Sequence, residues 1–478
     1  MLKSRMSRGR WRTVATVVAA LAAGSLLPAA PAFAVHGAVP GDFNGDGYRD
    51  AVLPAPGANV ACKEGAGAVV ILYGSKSGIS AAHRKTITQN TAGVPGTAET
   101  GDAFGSATAT ADLNRDGYAD LVVSAPYEDT TRGKDAGLVT VLWGGKNGLT
   151  TATDLPARSD FLERYGTDVA AVSIGAGSKT QVAVAGSGGV MVFKGPFSRT
   201  GTFGSTAPDQ NTASPASVTL GDFDGNAVLD LALTTVGLSD LSGGEVYVDP
   251  DTTLMQPKRG SGLIAASGDV NGDGYADLVV GDPWEPEVAG VDGALGGRVL
   301  VYYGTARGVA ATTEPVQVTQ DTAGVPGASE KDDEFGGALA VADLNRDGLA
   351  DIVVGAPFES LAGKSRAGNV TVIPGRRTGA LGSGSYSFSQ DTAGVPGASE
   401  TDDFFGTTVS AGDVDNDGKP ELFVSAAGEN LDTGAVWALP GGTSHPTATG
   451  SKLFTAPAVG LTQKSVTTLG GNGLLWLI

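Results

Sequence analysis

Short apolar runs separated by Gly-, Asp- and Pro-rich turns recur along the whole chain. Leu121-Val-Val-Ser124, Leu138-Val-Thr-Val-Leu-Trp143 and Ala338-Leu-Ala-Val-Ala342 have strand length, and none carries a sustained 3.6-residue period with helix caps. The runs also come in a fixed order. Gln89-Asn-Thr-Ala-Gly-Val-Pro-Gly returns almost unchanged from Gln320 and from Gln390. Each copy leads through an acidic patch to Phe-Gly, at Phe104-Gly105, Phe335-Gly336 and Phe405-Gly406. An alternating segment follows, then an Asp-rich loop, then an apolar run ending in Ala-Pro or its equivalent, as at Ala125-Pro126. A third strand and a weaker polar fourth, such as Pro315-Val-Gln-Val-Thr319, complete the unit.

The first Asp of each loop falls at Asp42, Asp112, Asp222, Asp269, Asp343 and Asp413. The double-length gap after Asp112 hides a degenerate copy, with Tyr165-Gly166 for Phe-Gly and Ser173 where the first Asp belongs. Seven four-stranded units without helices predict an all-β fold, a seven-bladed β-propeller in which each small sheet is covered by its two neighbours. The approximate blades are 35–101, 102–160, 161–206, 207–258, 259–331, 332–401 and 402–478, together one domain over 35–478. The first blade lacks its own Phe-Gly strand, and the tail from Lys452 to Ile478 is expected to supply the pairing that closes the ring.

Residues 1–34 read as a signal peptide: a basic start, a small-residue apolar run, and Ala32-Phe33-Ala34 as the cleavage signal. The expectation is a secreted, extracellular, monomeric chain with no membrane span. The formal charge is −19, and setting aside the five basic residues of the first 34 leaves −24. That balance argues against nucleic acid or anionic lipid and suits a collector of cations. A single cysteine, Cys62, excludes an internal disulfide, so another staple is expected. Glycine, at 73 of 478 residues, is about twice its usual share, as many tight turns require.

The loops supply candidate ligands at fixed positions. In Asp112-Leu-Asn114-Arg-Asp116-Gly-Tyr118-Ala-Asp120, oxygen-bearing side chains stand at positions 1, 3, 5 and 9. Gly117 at position 6 permits the turn, and the carbonyl of Tyr118 at position 7 adds a backbone oxygen. A hard cation, calcium, takes such donors. An EF-hand needs a carboxylate at position 12, which is Val123 here, and flanking helices, where this chain has strands. The other sets, in the same order, are Asp42, Asn44, Asp46, Tyr48 and Asp50; Asp269, Asn271, Asp273, Tyr275 and Asp277; Asp343, Asn345, Asp347, Leu349 and Asp351; and Asp413, Asp415, Asp417, Lys419 and Glu421. The fourth blade has Asp222, Asp224, Asn226, Val228 and Asp230 but carries Ala227 at position 6, which predicts a strained, weak loop. The third, with Ser173, Gly175, Gly177 and Gln181, is expected to bind nothing. Five or six calcium ions follow, against the plain alternative that Asp-Gly turns form without metal.

Phe104-Gly105 with Ala125-Pro126, and Phe335-Gly336 with Gly355-Ala356-Pro357, make these units resemble FG-GAP repeats, the blades of the integrin α-chain propeller. The resemblance covers nearly all of 36–442. It implies calcium loops on one face, ligand-binding loops on the other, and a role in adhesion or recognition. Catalytic patterns are not evident: His36, His83 and His445 lie outside any metalloprotease or nucleophile-elbow motif. Two readings stand, a module that binds an extracellular protein or glycan, and a secreted hydrolase of glycans or phosphodiesters using carboxylates or calcium. Tyr127, Trp284 and Phe358, each beside an acid after the second strand, are the candidate contact rings, with covering of their own blade edges as the alternative.

Overall fold

The computed structural model describes residues 40–158, 163–174, 179–206, 214–236, 244–249, 255–288, 290–462 and 466–473. The expected signal segment, the last five residues of the tail, and Gly175 and Gly177 lie outside these.

Seven separate antiparallel sheets follow one another along the chain. Blade 2 gives the pattern. Thr108–Ala111 pairs with Asp120–Ala125, which pairs with Leu138–Trp143, which pairs with Thr151–Leu155. Blades 3, 5, 6 and 7 repeat this four-stranded meander. In blade 4 the outermost strand shrinks to a single bridge between Val248 and Met255, and blade 1 contributes three strands of its own, Ala51–Ala55, Ala68–Leu72 and Arg84–Ile87. The innermost strands line a central cavity of about 210 Å³, walled by small groups such as Thr108, Ala170, Thr219, Ser267, Val341 and Ser410.

Alternation along the second strand explains why the sheets associate. Leu121 and Val123 face blade 1 and pack with Val69, Ile71 and Phe104, whereas Val122 between them faces blade 3 and packs with Tyr165, Val182 and Phe193. A strand buried on both faces cannot be satisfied by its own sheet. Among the described residues each pair of neighbouring blades shares one apolar cluster, and the series includes a cluster between blades 7 and 1.

A Phe-Gly or Tyr-Gly pair is the joint at the seams that lead into blades 2, 3, 6 and 7. Phe104 is 1% exposed, and its N–H donates to the Ala66 carbonyl of blade 1 at 3.0 Å. Gly105 N–H donates to Ser124 O of blade 2 at 2.8 Å. The backbone of Phe104 lies so close to Gly67 that a Cβ there would sit 2.3 Å from both its N and its O. Gly137 meets Tyr165, Gly297 meets Phe335 and Gly368 meets Phe405 in the same way. At the last seam the partner comes from the tail. Leu469, fully buried, meets Gly434 of blade 7; its N–H donates to Thr433 O at 3.0 Å, and Gly470 N–H donates to Pro54 O of blade 1 at 2.7 Å. Leu469-Gly470 therefore occupies the Phe-Gly place of blade 1 without the phenyl ring, and the ring closes through it.

Candidate metal loops and the opposite face

In blades 2, 4, 5, 6 and 7 the nine-residue loop joins the first and second strands, and in blade 1 it leads into Ala51–Ala55, with Gly41 bridged to Asp50 across it. Position 2 is always apolar and buried, as at Phe43, Leu113, Phe223, Val270, Leu344 and Val414, and anchors the loop in the seam. Positions 1 and 3 are half-buried, and positions 5 and 6 are exposed. In blade 2, Asp112 accepts from Asp116 N–H at 3.1 Å and from Gly117 N–H at 3.0 Å. Asn114 accepts from Asp116 N–H, and Asp116 accepts from Tyr118 N–H. The side chains at positions 1, 3 and 5 are thus drawn together on one side of a tight turn. The same bonds recur around Asp42, Asp269, Asp343 and Asp413.

Position 9 is buried in every loop, at Asp50, Asp120, Asp230, Asp277, Asp351 and Glu421. Asp120 accepts from Leu113 N–H through Oδ2 and from Gly144 N–H through Oδ1, both at 2.9 Å. Its two oxygens are already tied to the backbone, although each keeps a second lone pair for a cation. Burial pushes Asp50, Asp120 and Glu421 up to about 7, and Asp277 and Asp351 up to about 6. The backbone donors oppose that shift and the carboxylates elsewhere in the loop add to it.

Three carboxylates converge in two of the loops. Asp222, Asp224 and Asp230 bring ligand oxygens within 4.8 Å of one another, as do Asp413, Asp415 and Glu421. In the other four loops position 3 is Asn, so one of the converging donors is a neutral amide. Asp222 Oδ1 is buried without a partner, which fits a cation among these three acids. Ala227 takes φ 61°, the left-handed region that position 6 demands. Basic groups pair with position 5 in two loops: Arg199 of blade 3 reaches Asp116 at 2.6 Å, and Lys419, position 7 of its own loop, pairs with Asp417. In blade 3, Ser173 ends the strand Val169–Ser173, Gln181 is buried in the next strand, and Lys179 donates to Ala227 O of the blade 4 loop at 2.7 Å.

The rings on the other face are built into the seams. Trp284 packs against the cluster between blades 5 and 6. Arg164 lies 5.6 Å from the Tyr127 ring centre, and Arg366 lies 5.8 Å from that of Phe358, which also meets Phe404 at 5.3 Å. Glu128 and Glu359, beside two of these rings, are buried and held by Gln89 and Gln320 of the preceding blades. Leu431 stands out instead, 93% exposed on a turn where Asn430, Leu431 and Asp432 all have positive φ. Cys62 is exposed in a loop. No helix among the described residues is long and apolar enough to cross a membrane.

Five segments match the FG-GAP repeat family, residues 34–72, 104–142, 261–302, 335–373 and 405–439, in blades 1, 2, 5, 6 and 7. Among curated proteins, the chain is 32% identical over 174 residues to mouse phosphatidylinositol-glycan-specific phospholipase D, covering 36% of this chain and 19% of that protein. It is 32% identical over 244 residues to the Caenorhabditis briggsae integrin alpha pat-2, covering 47% and 18%. Mouse integrin alpha-7 is 35% identical over 180 residues, covering 37% and 13%. The chain thus matches less than a fifth of the length of each of these relatives.

Proposed function

The chain is an FG-GAP β-propeller similar to integrin α chains, and on that premise we propose that it is a secreted calcium-binding module for extracellular recognition or adhesion. The observation that supports the calcium reading best is the convergence of three carboxylates in the loops of blades 4 and 7, including an unpartnered Asp222 oxygen, on a loop pattern that recurs in phase in six blades. Positions 1, 3, 5 and 9 and the carbonyl of position 7 would hold the ion. The ion supplies the positive charge that three or four crowded carboxylates per loop otherwise lack. Magnesium suits the site less, because it prefers fewer protein ligands and keeps more water. A hydrolase needs carboxylates converging on an open pocket. The lining of the central cavity offers hydroxyls and methyls, with no ionisable group among the described residues.

Calcium content after dialysis tests the first part. At least five ions should remain per chain, and Asp116→Ala and Asp347→Ala should each remove one. Two ions or fewer would end the calcium reading of most loops. A glycan array and an envelope pull-down with the mature chain test recognition. Turnover of a glycan or phosphodiester on the order of one per second would replace the binding reading with the hydrolase.

A further inference from the structure

The repeated Gln-x-Thr-Ala-Gly-Val-Pro-Gly segment does more than mark the repeat. Thirteen residues after its Gln stands an Asp, and 39 after it a Glu of the next blade: Asp102 and Glu128, Asp333 and Glu359, Asp403 and Glu429. The Gln ties the seam by donating from Nε2 to the Glu, Gln89 to Glu128 and Gln320 to Glu359 at 2.5 Å, and Gln390 to Glu429 at 2.6 Å. The Asp is at most 3% exposed in each copy and accepts from the backbone N–H three residues before it, at 2.5–2.6 Å. The last Gly of the segment covers the cluster. A Cβ on Gly96 would sit 3.2 Å from Gln89 Nε2 and 3.5 Å from Glu128 Oε1.

The amide meets hydrogen bonds but brings no charge. Gln390 serves both acids of its seam, Glu429 and Asp403. Asp102 and Glu128 lie within hydrogen-bonding reach of each other, and two carboxyl groups bond in that way only when a proton stands between them. The charges around each pair are further acids. Glu99 and Asp154 act on Glu128, and Asp129 on Asp102. Glu330 acts on both Glu359 and Asp333, with Glu285 and Asp332 adding to Asp333, and Glu400 acts on both Glu429 and Asp403. The cations beside the second and third seams are engaged elsewhere, Lys331 with Glu285 and Asp332, and Arg366 with Asp402. Two acids that face each other away from water, with no cation between them, do not both ionise. Burial accordingly pushes Glu128, Glu359 and Glu429 up to about 7 and Asp102 and Asp333 up to about 6; the neighbouring acids add to the shift and the Gln or backbone donors oppose it.

We infer that one proton, shared between the Asp and the Glu beneath the Gln amide, closes each of the seams between blades 1 and 2, 5 and 6, and 6 and 7, and that its release in mildly alkaline solution loosens the face opposite the metal loops. The clusters lie among the loops that follow the second and fourth strands and share no residue with the nine-residue loops. Once the proton leaves, two like charges push the Gln segment of one blade away from the loop of the next. Tyr127 and Phe358 immediately precede Glu128 and Glu359, so the rings of that face move with the acids. The seam is therefore a pH-sensitive joint, and the surface it positions differs between acid and alkaline media.

A carboxyl raised in the fold above its unfolded value of about 4 stabilises fully below that value, and the contribution is lost as pH rises through the folded value, about 7 for Glu359. Glu359→Gln copies the protonated acid, accepting from Gln320 without charge. The full mature chain and this variant are unfolded chemically at one saturating calcium concentration, so that the loop acids contribute equally to both. Relative to the variant, the unfolding constant of wild type should grow on the order of tenfold to a hundredfold from about pH 5 to about pH 9. Asp333→Asn, which removes the other acid, should flatten the dependence in the same way. Parallel pH curves for wild type and both variants overturn the inference, and so does a wild type that gains on them as pH rises. Infrared difference spectra give a readout apart from stability. Wild type minus Glu359→Gln should carry the C=O stretch of a protonated carboxyl at about pH 6 and lose it by about pH 9; carboxylate bands alone at the lower pH refute the shared proton.

Discussion

Gly368→Ala should unfold this ring far more easily than the same change at Gly363, five residues away in the same blade. Both glycines have left-handed φ, 85° and 80°. At Gly363 an added Cβ meets nothing within 4 Å. Its cost is conformational alone, about 1–2 kcal/mol. At Gly368 the Cβ would lie 2.1 Å from Phe405 O and 2.3 Å from Phe405 N, where ordinary contact begins at 3.4 Å. Relief requires blade 7 to withdraw by about 1 Å. That withdrawal strains the bonds from Phe405 N–H to Ala367 O, 2.9 Å, and from Phe404 N–H to Arg366 O, 3.1 Å. Leaving one such buried group unpaired adds roughly 1–3 kcal/mol, for a total of about 2–5 kcal/mol. With an unfolding entropy of about 2.1 cal/mol/K per residue, a ring that melts as one unit loses roughly 2–5 °C at Gly368 and 1–2 °C at Gly363. Thermal unfolding followed by circular dichroism, at one calcium concentration, reads both. Equal shifts would mean that the close approach of the two backbones is not what glycine serves at the seam.

Leu469→Ala empties a fully buried position in the cluster between blades 7 and 1, and denaturant unfolding should show a loss of about 2–5 kcal/mol; a loss within 0.5 kcal/mol of zero, as for a typical surface change, would show that the tail does not close the ring. Asp292 is pulled down to about 2 by hydrogen bonds from Arg259 and Arg298. A lowered carboxylate stabilises the fold above its unfolded value of about 4, and that contribution is lost as pH falls through 2. The gap between wild type and Asp292→Asn, measured by chemical unfolding, should therefore be full at pH 6 and narrower at pH 3; a gap that holds constant contradicts the ion pairing.

What the sequence made legible was local. The nine-residue loop and the Phe-Gly pair are contiguous, so their spacing announces a turn and a strand start in any one copy. What it concealed was the partner of each motif in the next blade. Gly67, Gly137 and Gly368 read as ordinary turn residues, because the backbone they admit belongs to Phe104, Tyr165 and Phe405. Gln89 and Glu128 are 39 residues apart, and the Gln segment signalled repetition without showing what it holds. The apolar anchor at position 2 was visible in all six loops as Phe, Leu or Val beside Asp, a signal available to a closer reading. Leu469-Gly470 was harder, since it lacks the ring and precedes no Asp loop. Trp284 and Tyr127 were weighed as contact rings, and their packing against a seam cluster and beneath Arg164 supports the covering role.

The tail's insertion between blades 7 and 1 changes how the molecule tolerates drift. A linear stack of repeats frays from its ends, where each terminal unit has one neighbour and needs a polar cap. Here every blade has two neighbours, and losing one opens two seams. A blade can therefore shed its own signature and still be held. Blade 3, with Tyr165 for Phe and Ser173 for the first Asp, keeps its place because Val122 and Val141 on one side and Leu231 and Leu233 on the other bury both of its faces. Closure spreads the burden of specificity around the circle, leaving individual blades free to diverge.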